Sequence, residues 1–148
     1  MMDSFKKILI ATDGSKSSED AIRTGLEFAR IIGAEVMALN VVEDPILLST
    51  PADSEMMNLY AILEKEGKTL VQHVKDLGKE MGVDVSAKVV SGHPAKMIVD
   101  EAAGYDMIII GTLGRTGIAK ILIGSVAEKV VKLAKCPVLV VRKKEDNQ

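Results

Sequence analysis

Residues 111–125 hold the densest chemistry in the chain. Gly111, Gly114 and Gly117 are followed by Gly124 and Ser125. The stretch comes directly after the apolar run at 107–110 and leads into helical spacing over 126–134. A strand that passes through a glycine-rich loop into a helix opening on Gly-Ser binds anions with its main chain. Glycine admits an anion close to backbone N–H groups, and the first helical turn adds unpaired donors and the positive end of its dipole. Ser125 contributes a hydroxyl. Arg115 either touches phosphate or stays a solvated loop charge. This chemistry is recognition of a phosphorylated ligand, a nucleotide.

A second pole lies near the N-terminus. Residues 7–11 read as a short buried strand stopped by Thr12, Asp13 and Gly14. Asp13 either caps a turn or accepts hydrogen bonds from ribose hydroxyls, and it can hold a metal through water. Backbone groups of Ala11 and Val41 are placed to flank a base.

The remaining elements must bring these poles together. Ser17 or Ser18 is expected to cap a helix that ends at Gly33, and residues 35–42 form a second strand. After a connection carrying Ile46, Leu47 and Leu48, a long helix is expected from about 54 to 81. Met56, Tyr60, Leu63, Gly67, Leu70, Val74, Leu77 and Met81 form one stripe along it. Residues 83–90 alternate like a strand. Pro94 opens a helix over 95–103, residues 106–110 make a fourth strand and 137–141 a fifth. Apolar strands alternating with helices mean an α/β fold, a parallel sheet with helices on both faces. In such sheets the ligand crevice lies beyond the carboxyl ends of the strands. Neighbouring first and fourth strands would put both poles on one crevice.

The P-loop pattern fails, because no Gly-Lys-Ser/Thr follows, and G-x-G-x-x-G fails because residue 113 is Leu. Gly114 to Gly117 matches the G-x-x-G of nucleic-acid-binding KH domains only superficially, since it follows a strand in a chain without excess basic charge. The spacing that fits is G-x2-G-x9-G-[ST], met by Gly111, Gly114, Gly124 and Ser125. This resembles the ATP-binding branch of the universal stress protein family, and the resemblance runs along nearly the whole chain. Residues 7–15, 39–42, 92–94, 124–130 and 136–142 look like the family's opening strand and acidic turn, second strand, turn before the third helix, and closing helix and strand.

The resemblance implies a Rossmann-like, adenine nucleotide alpha hydrolase-like sheet ordered 3-2-1-4-5. It implies ATP, with Mg2+ or Mn2+ carried on the phosphates, at Ala11, Thr12, Asp13, Val41, Gly111, Gly114, Gly124 and Ser125. Gly92, Ile110, Arg115 and Val126 flank these and join the candidate set. No residue is assigned a catalytic role. Two positions depart from the pattern: many relatives carry His where this chain has Leu113, and Pro or Val where it has Ala11.

The chain of 148 residues is read as one domain with a core over about 4–143 and a polar tail. A formal net charge of −2 gives no field that would draw it to nucleic acid or anionic membrane. Aromatic residues make up only 3%, which removes base-stacking platforms. The lone Cys136 cannot form an internal disulfide and is expected to pack as a small apolar residue. Neither a signal peptide nor a membrane span is evident, so a cytoplasmic location is expected. His93 is read as a surface turn residue and His73 as solvated.

The fifth strand, Pro137, Val138, Leu139, Val140 and Val141, is an apolar edge in this topology. Such edges are normally covered, here by a second copy across a two-fold axis, and the resemblance implies the same homodimer. The leading function is an ATP-binding regulator of stress response acting through an unknown protein partner. A slow ATPase switch and a dimeric module without nucleotide stand beside it. The first alternative lacks a Walker lysine and an obvious base; the second would be marked by a broken glycine pattern, which is intact here.

Overall fold

The computed structural model describes residues 5–43, 54–112 and 123–142. In chain order these form β1 (Lys7–Ala11), α1 (Lys16–Ile32), β2 (Glu35–Val42), α2 (Ser54–Met81), β3 (Val85–Ser91), α3 (Pro94–Glu101), β4 (Met107–Gly111), α4 (Ser125–Leu133) and β5 (Val138–Val141). The five strands make one parallel sheet in the order β3-β2-β1-β4-β5, as the resemblance implied. β1 and β4 are neighbours, with Ile8 opposite Met107 and Ile10 opposite Ile109.

Strand periodicity divides the core into two layers. Ile8, Ile10, Val36, Ala38 and Ile109 face Ala21, Ile22 and Leu26 of α1 and Val71 and Val74 of α2. Leu9, Met37, Leu39, Ile108 and Ile110 face Ala95 and Ile98 of α3 and Ala127 and Val130 of α4. The central strands are therefore buried on both sides, which is why they read as continuous apolar runs. Each fully buried Ile or Leu contributes roughly 2 kcal/mol relative to exposure. The expected α2 stripe faces inward along its length, with Gly67 and Val74 buried and the other members half-buried.

Several boundaries differ from the sequence expectation. The N-cap of α1 is Ser15, whose side chain accepts from the Ser18 N–H at 3.1 Å; Ser17 and Ser18 lie inside the helix and are buried. β3 begins at Val85, because Val83 is still occupied in closing α2. Gly82 takes a left-handed φ of 74°, and the Val83 N–H turns back to the Gly78 carbonyl at 2.8 Å. β4 begins at Met107, one residue late, and Asp106 instead bridges two strands. Its Oδ2 accepts from the N–H groups of Lys6 and Lys7 at 3.0 and 2.9 Å. Those bonds tie the entrance of β1 to β4. α3 starts at Pro94 and stops at Glu101, and β5 starts one residue after Pro137.

Candidate functional site

At the carboxyl edge of the sheet a cavity of about 790 Å3 opens between the ends of β1, β2 and β4. Ala11, Thr12, Asp13 and Val41 line it, as do Ile110, Gly111, Gly124, Ser125 and Val126. The two poles thus meet in one space. Gly92 does not line it. That glycine sits at the end of β3, donating to the Val42 carbonyl at 3.0 Å, with Met97 packed where its side chain would be. Gly114, Arg115 and Leu113 lie outside the described residues.

The bend after β1 is tightly built. Asp13 Oδ1 accepts from the Ser15 N–H at 2.9 Å, so the carboxylate closes a turn while it lines the cavity. The Thr12 N–H continues the ladder to Leu39 O at 2.9 Å. Two hydroxyl pairs then stitch the strand ends to the first turn of α1: Thr12 with Ser18 at 3.3 Å, and Ser17 with Thr112 at 3.4 Å. All four side chains are buried.

Gly111 has a role that its place in the glycine spacing did not reveal. A Cβ there would lie 2.5 Å from Ser17 Oγ and 2.7 Å from the Ser17 carbonyl carbon and oxygen. The missing side chain makes room for the α1 backbone.

The other end of the cavity is the start of α4. Its N-cap is Gly124, which has no side chain to cap the helix. The Gly124 N–H is taken by Thr112 O. Among the described residues no side chain caps the N–H groups of Ser125, Val126 and Ala127, which open the helix. α1, by contrast, caps itself through Ser15, and α3 begins on Pro94, which has no N–H.

Among the described lining residues the charged side chains are Asp13, Glu43, Glu66 and Glu128, all acidic; Lys, Arg and His are absent. Positive potential in this part of the cavity comes from helix starts and main-chain donors. Sequence reasoning missed Asn40, Thr112, Ser18 and the α2 residues Leu63, Glu66, Gly67 and Leu70. Only Asn40 carried a signal, as a polar residue inside an apolar strand.

Away from the cavity, His93 is exposed and is the N-cap of α3, without a side-chain capping bond. His73 is exposed and also meets Glu19 of α1 at 3.0 Å. Cys136 packs against the α3–α4 layer, and burial raises its thiol above the ordinary value, which keeps it protonated. No helix among the described residues is long and apolar enough to cross a membrane.

Comparison with known proteins gives one family. Residues 4–142 match the model of the universal stress protein family. Universal stress protein MJ0531 of Methanocaldococcus jannaschii is 40% identical over 141 residues, covering 94% of this chain and 83% of the relative. The solved structure of MJ0577, from the same organism, aligns with a TM-score of 0.84 at 34% identity, covering 97% of this chain and 99% of that one. A universal stress protein family protein from Arabidopsis thaliana, solved with AMP bound, aligns with a TM-score of 0.69 at 22% identity, over 95% and 94% of the two chains. At that identity the last likeness speaks for the fold.

Proposed function

The chain belongs to the universal stress protein family, and from that premise we propose that it is an ATP-binding, homodimeric regulator of stress response, acting through a protein partner in the cytoplasm. One observation carries the reading: the acidic bend after β1 and the uncapped start of α4 line the same cavity, across neighbouring strands. Its volume is within the range of small-molecule sites. The phosphates lie against the N–H groups of Ser125, Val126 and Ala127. Ala11, Thr12, Asp13, Val41 and Ile110 surround the nucleoside. Gly114 belongs to the same site by the glycine spacing, and Arg115, next to it in the chain, is the candidate side-chain contact to phosphate. Gly92 keeps only a supporting place behind the cavity wall. That a relative of the same fold holds AMP supports the ligand class.

The acidic lining bears on the metal. Of the four lining carboxylates Glu128 pairs with Lys132 at 3.0 Å and Glu66 has a partner of its own; a bare triphosphate would still face Asp13 and Glu43, so charge balance favours a nucleotide that brings a divalent cation. Among the described residues no three His, Cys, Asp or Glu side chains gather to hold an ion. On this reading Mg2+ or Mn2+ takes its ligands from phosphate and water, with Asp13 as an outer partner.

The reading is tested by denaturing freshly purified protein, identifying any released small molecule by mass spectrometry, and titrating the stripped protein with ATP, ADP and AMP in a calorimeter. Micromolar or tighter adenine nucleotide binding is expected. No heat with any of the three would remove the proposal. Stripping Mg2+ with EDTA is expected to weaken ATP by about tenfold or more and to leave adenosine unchanged.

For the dimer, the edge of the sheet supplies the argument. Ile108 donates to Pro137 O and Thr112 to Val141 O, both at 3.0 Å. By the alternation of a parallel ladder the N–H and C=O groups of Val138 and Val140 point away from β4. Val131 and Leu133 of α4, the helix that leads into β5, are also exposed. A second copy pairing its own β5 satisfies those groups. Val140→Pro removes one outward donor and spares the bonds to β4. Monomers are expected in light scattering, and an undiminished dimer would place the interface elsewhere.

A further inference from the structure

Asn40 lies at the carboxyl end of β2 and is 6% exposed, in a strand whose other interior residues are apolar. Its Nδ2 donates to the Thr12 carbonyl at 2.9 Å. A carbonyl can only accept, so the amide nitrogen must face it. The β1–β2 ladder ends with Ala11 opposite Leu39. The next rung would use the Thr12 carbonyl, and the Asn40 side chain takes it instead. One residue later the chain turns through Asp13. On its other side Asn40 meets α2, where a Cβ at Gly67 would collide with Asn40 Oδ1. That oxygen therefore lies against a helix that comes close only because residue 67 has no side chain.

We propose that Asn40 is a positioning residue for the ligand site: its amide replaces a rung of the sheet and fixes the bend that carries Asp13 into the cavity. Strand pairing can set the direction of β1 but not of the residues after it. A backbone N–H at this rung would extend the strand straight on through Thr12. A side-chain donor holds the carbonyl and leaves the following residues free to turn. The ligand-affinity part of this inference rests on the nucleotide reading above; the positioning part does not.

The test uses two variants. Asn40→Leu keeps the number and branching of the side-chain heavy atoms and removes the donor. Asn40→Asp puts a carboxylate beside the carbonyl, and that group donates only when protonated; its burial favours the protonated form. In ligand-free protein, amide exchange at Thr12 and Ser15, taken relative to Ile109, is expected to quicken by about tenfold in Asn40→Leu. In Asn40→Asp the same amides quicken at alkaline pH and recover as pH falls. Nucleotide affinity, as a ratio to wild type, is expected to drop by about tenfold in Asn40→Leu and to return in Asn40→Asp at low pH. A merely structural loss would not reverse with protonation. Exchange at the bend that stays at the wild-type rate in both variants, or an Asn40→Asp profile flat with pH, overturns the proposal. If wild type binds no nucleotide, the functional reading fails, and the exchange rates still decide the role of Asn40.

Discussion

Gly124→Val is expected to lower ATP affinity about a hundredfold while leaving the fold intact. Gly124 lines the cavity directly ahead of the uncapped N–H groups of α4. A branched side chain there keeps phosphate away from those donors. Hydrogen bonds to a charged group are worth about 1.5–3 kcal/mol each, so losing two costs about 3 kcal/mol or somewhat more. The backbone itself tolerates the change. Gly124 has φ −79° and ψ 167°, in the extended region open to every residue. Val is a poorer N-cap than Gly, which costs about 1 kcal/mol at most. Calorimetric titration with Mg–ATP, paired with thermal unfolding, separates the two effects. Equal affinity in both proteins would take the phosphates away from α4.

Gly111→Val is expected to do the reverse, and chiefly to destabilise. Both glycines fall on the same spacing, yet their surroundings differ. At Gly111 the new side chain would press on the Ser17 backbone at 2.7 Å, which cannot swing aside as a side-chain end can. The first turn of α1 must move off the end of β4, breaking the Ser17–Thr112 pair. Overpacking against backbone costs about 3 kcal/mol or more, or about 10 °C in Tm for a domain of this size. Gly111→Ala should show most of it, because the clash is at Cβ. An unchanged Tm with lost nucleotide binding would mean that Gly111 serves the ligand and not α1.

That contrast shows what a sequence can and cannot disclose. The order and type of every element were legible, because runs such as 107–110 and the α2 stripe carry their own period. The two poles of the site were legible because glycine, acidic and hydroxyl residues clustered at strand ends. Which way a residue faces across the fold was not. Gly111 and Gly124 look alike in a spacing pattern; only the strand parity of Ile109 and Gly111 puts one of them against α1. Asn40 announced itself as polar within β2, but its acceptor comes from 28 positions away in the chain. The contribution of α2 to the cavity, through Leu63 and Gly67, depends on how far that helix runs past the sheet, which its period does not encode. The N-cap of α1 was misplaced by two or three positions because Ser15, Ser17 and Ser18 are equally competent by type, while its expected end at Gly33 is where the helix stops. The structure chooses Ser15 because the other two hydroxyls bond strand ends.

The donors at the start of α4 belong to the main chain, and this has a consequence for inheritance. Every residue type but proline supplies the same N–H at positions 125 to 127. Ala127 and Val126 are held by their packing in the α3–α4 layer, but substitution at 125 would leave the grip on phosphate nearly untouched, so drift in the lettering of that position need not record drift in what the turn holds. A descendant of this protein could lose Ser125 entirely and keep its ligand, while a single branched residue at 124 would silence it. The durable part of such a site is an empty space next to a helix, and a gene preserves that by what it refrains from adding.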